Sequence, residues 1–215
     1  MKDSGHKDWA RILEPVIKKY ENHAHPLRFH NTYQLLVMVV LAAQTSDNAV
    51  NKIAPRLFER FPTLQDFAAA STKELISYLS SIRNHRTKIS WLLDLANSLG
   101  HEDNIPLTME GLVAHKGIGR KSANVILRET GQDPAGIVVD LHVIRVAGRM
   151  GLSSATTGDK VEKDLMRRLP QKIWNTAGMA MSFLGRDTCR PSNPSHEECP
   201  VASNCEFCMA KFGNG

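Results

Sequence analysis

No cysteine occurs in the first 188 of the 215 residues; all four, Cys189, Cys199, Cys205 and Cys208, fall near the end of the chain. That distribution excludes a dispersed disulfide framework. In a reducing compartment a terminal cluster of thiols suits a metal better than crosslinks. Long apolar runs are also missing. The longest, Leu35–Ala43, is nine residues, against the roughly 20 that a membrane-spanning helix requires, so no membrane association is expected. Met1-Lys2-Asp3-Ser4-Gly5-His6-Lys7-Asp8 contains no apolar segment of the kind a secretory signal needs, and the expected location is the cytoplasm. Aromatic residues are few, at 6%, and no segment alternates apolar and polar side chains as a half-buried strand would. The reading is all-α.

The apolar residues that are present, 42% of the chain, are enough to bury the core of one large domain or two small lobes. They recur at helical spacing almost throughout. Trp9, Ile12, Leu13, Val16 and Ile17 mark a first amphipathic helix. Asn31-Thr32 can cap a second, largely buried helix through Leu41, and Thr45-Ser46-Asp47 can cap a third that Pro62 stops. Ser71-Thr72-Lys73-Glu74 has the spacing of a capping box, and Gly100 is placed to end a helix from about Arg86 to Leu99. Later helices carry 143–150, 161–169 and 173–184. A net charge of +5 suits a polyanionic partner without establishing one.

The stretch from His115 through Lys116, Gly117, Ile118, Gly119, Arg120 and Lys121 to Asn124 reads as two helices joined by a Gly-Ile-Gly hairpin. Leu112 and Val113 lie on the first helix, and Ala123, Val125, Ile126 and Leu127 give the second an apolar side. The glycines let the backbone turn sharply and present its N–H groups outward. With the positive end of the following helix, those groups form a site for a phosphate. Lys121 would then sit beside bound nucleic acid, where an amine can serve as a nucleophile or simply pair with a phosphate. Nineteen residues later Asp140 precedes the apolar-periodic run Leu141–Val146. An aspartate there can cap the helix and can stabilise positive charge developing on a sugar; the two roles are compatible.

A hairpin with its lysine, then an aspartate ahead of a helix, then a terminal cysteine cluster, resembles the endonuclease III-like helix-hairpin-helix DNA glycosylases. Leu41-Ala42-Ala43-Gln44-Thr45-Ser46-Asp47 is similar to the family's glutamine-bearing helix junction, and the resemblance covers nearly the whole chain. It implies a two-lobed fold: a six-helix lobe over 27–137, with the helix-hairpin-helix motif at about 108–130, and a second lobe from 1–26 and 138–215 holding the metal-cluster loop, 189–208. It further implies DNA lying across the groove between the lobes, where Lys121 and Asp140 would converge. The implied activity is base-excision repair, with removal of oxidised pyrimidines and β-elimination at the abasic site through a Schiff base on Lys121, assisted by Asp140. Gly117, Ile118, Gly119 and Arg120 correspond to the phosphate-binding hairpin. Gln44, Ile82 and His142 align with positions that fill the gap left by an extruded nucleotide. The implied partner is double-stranded DNA containing damaged bases or abasic sites, met at the nucleoid by a monomeric enzyme. The alternatives are a same-fold glycosylase for another lesion or mismatch and a non-catalytic DNA-binding helix-hairpin-helix protein. Lys121, generally absent at this position from the adenine-excising and thymine-mismatch relatives, weighs against the first, and its pairing with Asp140 against the second.

The chain departs from the family pattern in three places. Leu141 stands where threonine is usual, and His115-Lys116 where Leu-Pro is common. In the tail, the family's C-x6-C-x2-C-x5-C run is reproduced with His196 in the second slot and with Cys208 three residues beyond the end. Two ligand sets for a [4Fe-4S] cluster stay open: Cys189, Cys199, Cys205 and Cys208, or the first three with His196. Four clustered cysteines favour the first set, since none is then idle. Zinc suits either set tetrahedrally. The metal's expected role is to stiffen a loop whose neighbours Arg186, Arg190 and Lys211 can meet phosphate.

Overall fold

The computed structural model describes residues 7–212, and among these every regular element is helical. In chain order the α-helices are α1 (Trp9–Tyr20), α2 (Thr32–Ala42), α3 (Asp47–Arg60), α4 (Leu64–Ala68), α5 (Thr72–Leu79) and α6 (His85–Leu99). There follow α7 (Met109–Val113), α8 (Arg120–Glu129), α9 (Leu141–Met150), α10 (Gly158–Arg168), α11 (Trp174–Asp187) and α12 (Glu206–Phe212). The chain divides into two compact units, Ala24–Asp133 and the described parts of Met1–His23 with Pro134–Gly215.

In the first of these units α2 is the central element. Every residue from Leu35 to Leu41 is buried, and the helix packs against α3, α6 and α8. A helix apolar on all sides is stable only when surrounded in this way. Its ends are set by side chains: Asn31 Oδ1 accepts from Gln34 N at 2.9 Å, and Ser46 Oγ opens α3 by accepting from Ala49 N at 3.3 Å. Gly100 ends α6 at φ +69, donating its N–H to the Ala96 carbonyl. At Ser71 the hydroxyl accepts from Glu74 N at 3.2 Å, while the Glu74 carboxylate pairs with Arg60 at 2.6 Å. The reciprocal capping box stands at Thr63 and Asp66, ahead of the short α4.

In the other unit α11 packs against both α1 and α9. Leu13 and Val16 of α1, Val143 and Val146 of α9, and Ala177, Met181 and Leu184 of α11 are all fully or almost fully buried. Gly185 permits the close crossing of α11 over the start of α9: a Cβ there would lie 2.7 Å from His142 Cβ and 3.2 Å from its carbonyl oxygen. The first turn of α9 is thereby held against α11.

Candidate functional site

The hairpin links α7 to α8. Gly117 has φ +88, and a Cβ on it would come within 2.7 Å of the Trp91 ring, so glycine is required there for both conformation and space. Gly119 precedes α8 in extended conformation, with no side-chain cap and nothing within 4 Å of where a Cβ would lie. The first-turn N–H groups of any helix lack intrahelical acceptors. Here no side chain caps them, and Lys121 is exposed at the second position of α8 with Arg120 partly exposed at the first. Ile118, expected at the interface, is buried. Its side chain is 4% exposed and its N–H is committed to the His115 carbonyl at 3.2 Å, so it anchors the hairpin from inside.

Sequence reasoning missed His25, which lies within electrostatic reach of Lys121. Burial, followed by the positive charge of Lys121, lowers its pKa to about 4. Its Nδ1 accepts from Leu27 N at 3.1 Å, which fixes the neutral tautomer with the proton on Nε2.

The α2–α3 corner presents Gln44 as an exposed residue with φ +57. Ile82, also expected at the interface, lies inside. It is 1% exposed, in the turn between α5 and α6, where Ser81, Arg83 and Asn84 are the exposed residues.

Asp140 is the N-cap of α9, and both of its oxygens are engaged. Oδ1 accepts from His142 N and Val143 N, each at 2.9 Å. Oδ2 accepts from the Ser182 hydroxyl at 2.6 Å, with Arg186 Nη2 at 3.8 Å. The carboxylate is therefore fixed by α9 and α11 together, an arrangement that caps the helix and holds one negative charge in place. The neighbouring Leu141 is 78% exposed. His142 is partly exposed, and its Nδ1 lies 3.0 Å from Arg145 Nη2. A guanidinium only donates, so Nδ1 is the acceptor and the ring is neutral. Burial lowers the His142 pKa, with Asp140 opposing and Arg186 and Arg145 reinforcing the shift.

Cys189, Cys199, Cys205, Cys208 and His196 all line one tight cavity of about 20 Å³, partly open to solvent. His196 Nδ1 is 3.2 Å from Cys208 Sγ, so the two competing fourth ligands stand side by side. Burial pushes the Cys208 thiol up to about 12, with the charge of Cys205 adding to it, and burial likewise raises Cys199. Crowded, desolvated thiols of this kind ionise readily only when a cation neutralises them, which is the chemistry of a metal-binding donor set. Among the described residues, no three or more such side chains are gathered tightly enough to constitute a metal shell. Arginines of α9 hold the loop, and Arg149 itself lines the cavity. Arg145 donates to the Gly185 carbonyl at 2.7 Å and the Cys189 carbonyl at 3.0 Å. Arg149 donates to the carbonyls of Arg190 at 2.8 Å and Pro191 at 2.9 Å, and to Cys189 Sγ at 3.2 Å.

Comparison with known proteins accords with these features. Residues 37–171 match the HhH-GPD superfamily base excision DNA repair protein family. An endonuclease III of Synechocystis sp. is 33% identical over 203 residues, spanning 94% of this chain and 93% of its own. A solved non-covalent endonuclease III–DNA complex superposes with a TM-score of 0.85 at 32% identity, covering 94% of this chain and 96% of the other. A trapped endonuclease III–DNA covalent intermediate gives 0.84 at 32% identity over 93% and 95%. The chain belongs to the HhH-GPD superfamily of base excision DNA repair proteins and, within it, to the endonuclease III-like DNA glycosylase/AP lyases.

Proposed function

We propose that this enzyme excises oxidised pyrimidines from double-stranded DNA and nicks the resulting abasic site, with Lys121 as nucleophile and Asp140 as its electrostatic partner. The observation that carries this reading is the exposure of Lys121 in the first turn of α8, directly after a helix start that lacks a side-chain cap. A backbone phosphate bound by the first-turn N–H groups, Gly119 and Arg120 would bring the sugar of a neighbouring nucleotide to the lysine. Gly117 shapes that turn. The trapping of a related endonuclease III on DNA as a covalent intermediate supports a nucleophilic mechanism.

The neutral Lys121 amine attacks C1′ as the N-glycosidic bond breaks, and the departing base takes the bonding electron pair and a proton. Cleavage of C1′–O4′, with O4′ keeping the electron pair and taking a proton from water, opens the sugar and leaves a protonated imine. Loss of a C2′ proton from the imine then expels the 3′ phosphate by β-elimination. The fixed carboxylate of Asp140 stabilises the positive charge that develops at C1′. Gln44 fills the space left in the duplex, and His142, neutral with a donor at Nε2, contacts the opened strand. One chain supplies every group named, so the enzyme acts as a monomer, at the nucleoid where its DNA lies.

The donor set around this cavity, four desolvated thiols beside an imidazole, suits a [4Fe-4S] cluster held by Cys189, Cys199, Cys205 and Cys208, with His196 as the alternative fourth ligand and zinc as the alternative metal. When bound, the group supplies the charge that keeps these thiols ionised and a crosslink that stiffens the tail. Arg186 and Arg190, exposed nearby, can then meet phosphate.

Borohydride trapping on abasic DNA tests the assignment, because only a protein that forms an imine is reduced onto the strand. Lys121→Gln should abolish the crosslink and leave binding of unmodified duplex within severalfold, since one phosphate contact among many is lost. Undiminished trapping by the variant would transfer the lyase chemistry to another amine.

A further inference from the structure

Lys88, on α6, is 2% exposed. A buried ammonium is costly unless each of its protons finds an acceptor. All three do: Nζ donates to the Leu41 carbonyl at 2.8 Å, the Ala43 carbonyl at 2.6 Å and the Thr45 hydroxyl at 3.1 Å. Two of these acceptors are carbonyls at the C-terminal end of α2, where intrahelical donors run out and the helix dipole favours a cation. The other relationship is more specific. Ala43 and Thr45 flank Gln44, so the ammonium grips the chain on both sides of that residue.

Gln44 needs such a grip. Its backbone is left-handed, at φ +57, a conformation that is strained for a residue with a Cβ. Its side chain is exposed and can contribute little packing to hold it there. Without the ammonium, the 43–45 segment could relax toward right-handed or extended conformations, and the glutamine would point elsewhere. The orphan carbonyls of α2 would lose their donor in the same step.

We propose that Lys88 is a positioning residue for Gln44: a three-pronged clamp that holds the α2–α3 turn in the conformation from which the glutamine enters the duplex. Lys88 touches no substrate itself and acts through the turn. The proposal rests on the reading of Gln44 as the residue that fills the gap, and the two can be separated experimentally.

Gln44→Ala, Lys88→Met and the double variant are compared with the parent protein by titration against two duplexes, one carrying a tetrahydrofuran abasic analogue and one unmodified. Each single variant should weaken binding of the analogue about tenfold, and the double variant should be no weaker than the weaker single. Binding of the unmodified duplex should not change. Multiplicative losses in the double variant would overturn the clamp, and so would equal losses on both duplexes. If Gln44→Ala weakens binding and Lys88→Met does not, the clamp falls while the gap-filling reading stands. If Gln44→Ala itself has no effect, the reading falls and the clamp with it. Thr45→Val serves if Lys88→Met fails to fold, since it deletes one acceptor and leaves the lysine in place. It should weaken analogue binding severalfold in the parent protein and not at all in Gln44→Ala; equal losses in both backgrounds would overturn the proposal.

Discussion

Ser182 donates its hydroxyl to Oδ2 of Asp140 at 2.6 Å, from α11 to the residue that opens α9. The serine is 1% exposed, so the bond is shielded from competition by water. It immobilises the one carboxylate oxygen that the helix cap leaves unused. Preorganised charge of this kind stabilises a transition state without having to reorient during the reaction. Ser182→Ala should slow single-turnover base excision about tenfold and lower stability by about 1 kcal/mol, the usual size of one hydrogen bond. An unchanged excision rate in a protein that melts normally would show that the cap bonds and Arg186 suffice.

Asp140→Asn separates the two roles of the carboxylate. Oδ1 can still cap α9 through His142 N and Val143 N, so the melting temperature should fall by only a few degrees. Excision should fall on the order of a hundredfold or more with the loss of negative charge. Retained excision would leave Asp140 as a helix cap alone.

The lowered pKa of His25 makes stability depend on pH. In the unfolded chain the imidazole takes up a proton below its ordinary value of 6.5, and in the folded protein only below about 4. The unfolded state therefore binds more protons in between, and stability declines as pH falls from 6.5 toward 4. Protonation would also break the bond from Leu27 N. His25→Gln, melted across this range beside the parent, should show a shallower acid decline, by at most about 3 kcal/mol at the low end. Parallel curves would exclude His25 as a source of the acid sensitivity.

The two tail ligand sets predict opposite patterns of iron retention. Ligation by four cysteines predicts that Cys208→Ser loses iron while His196→Ala keeps it, and ligation through His196 predicts the reverse. Cys189, Cys199 and Cys205 should be indispensable in either case. Metal analysis and visible absorbance of the purified variants decide between them. Colourless parent protein with one zinc and no iron would replace the cluster with zinc.

The larger helices are legible in the sequence because their signals are local. Asn31, Ser46 and Gly100 cap where cap chemistry predicts, and the continuous apolar run of α2 could only be a buried helix. The short α4 and α12 are not legible, since helices of five and seven residues carry too few turns to show a period. Ile82 and Ile118 fall inside rather than on the expected DNA surface, because an isolated isoleucine in a turn does not declare which way it points. Lys88, Ser182 and His25 escape sequence reasoning for another reason. Lys88 meets acceptors 43–47 residues away, Ser182 meets Asp140 across 42, and the neighbours that set His25 are distant in sequence. Chemistry of that kind exists only once the helices have packed.

The arginines of α9 grip the cysteine loop chiefly by its main chain: the carbonyls of Cys189, Arg190 and Pro191. Main-chain oxygens are the same whatever side chain a position bears. Apart from the bond to Cys189 Sγ, the anchorage therefore does not depend on which side chains the loop carries, and His196 stands in the loop without touching these attachments to the helix that starts at Asp140. Helix α9 works as a mounting rail with a fixed charge at its head and a replaceable fitting along its length.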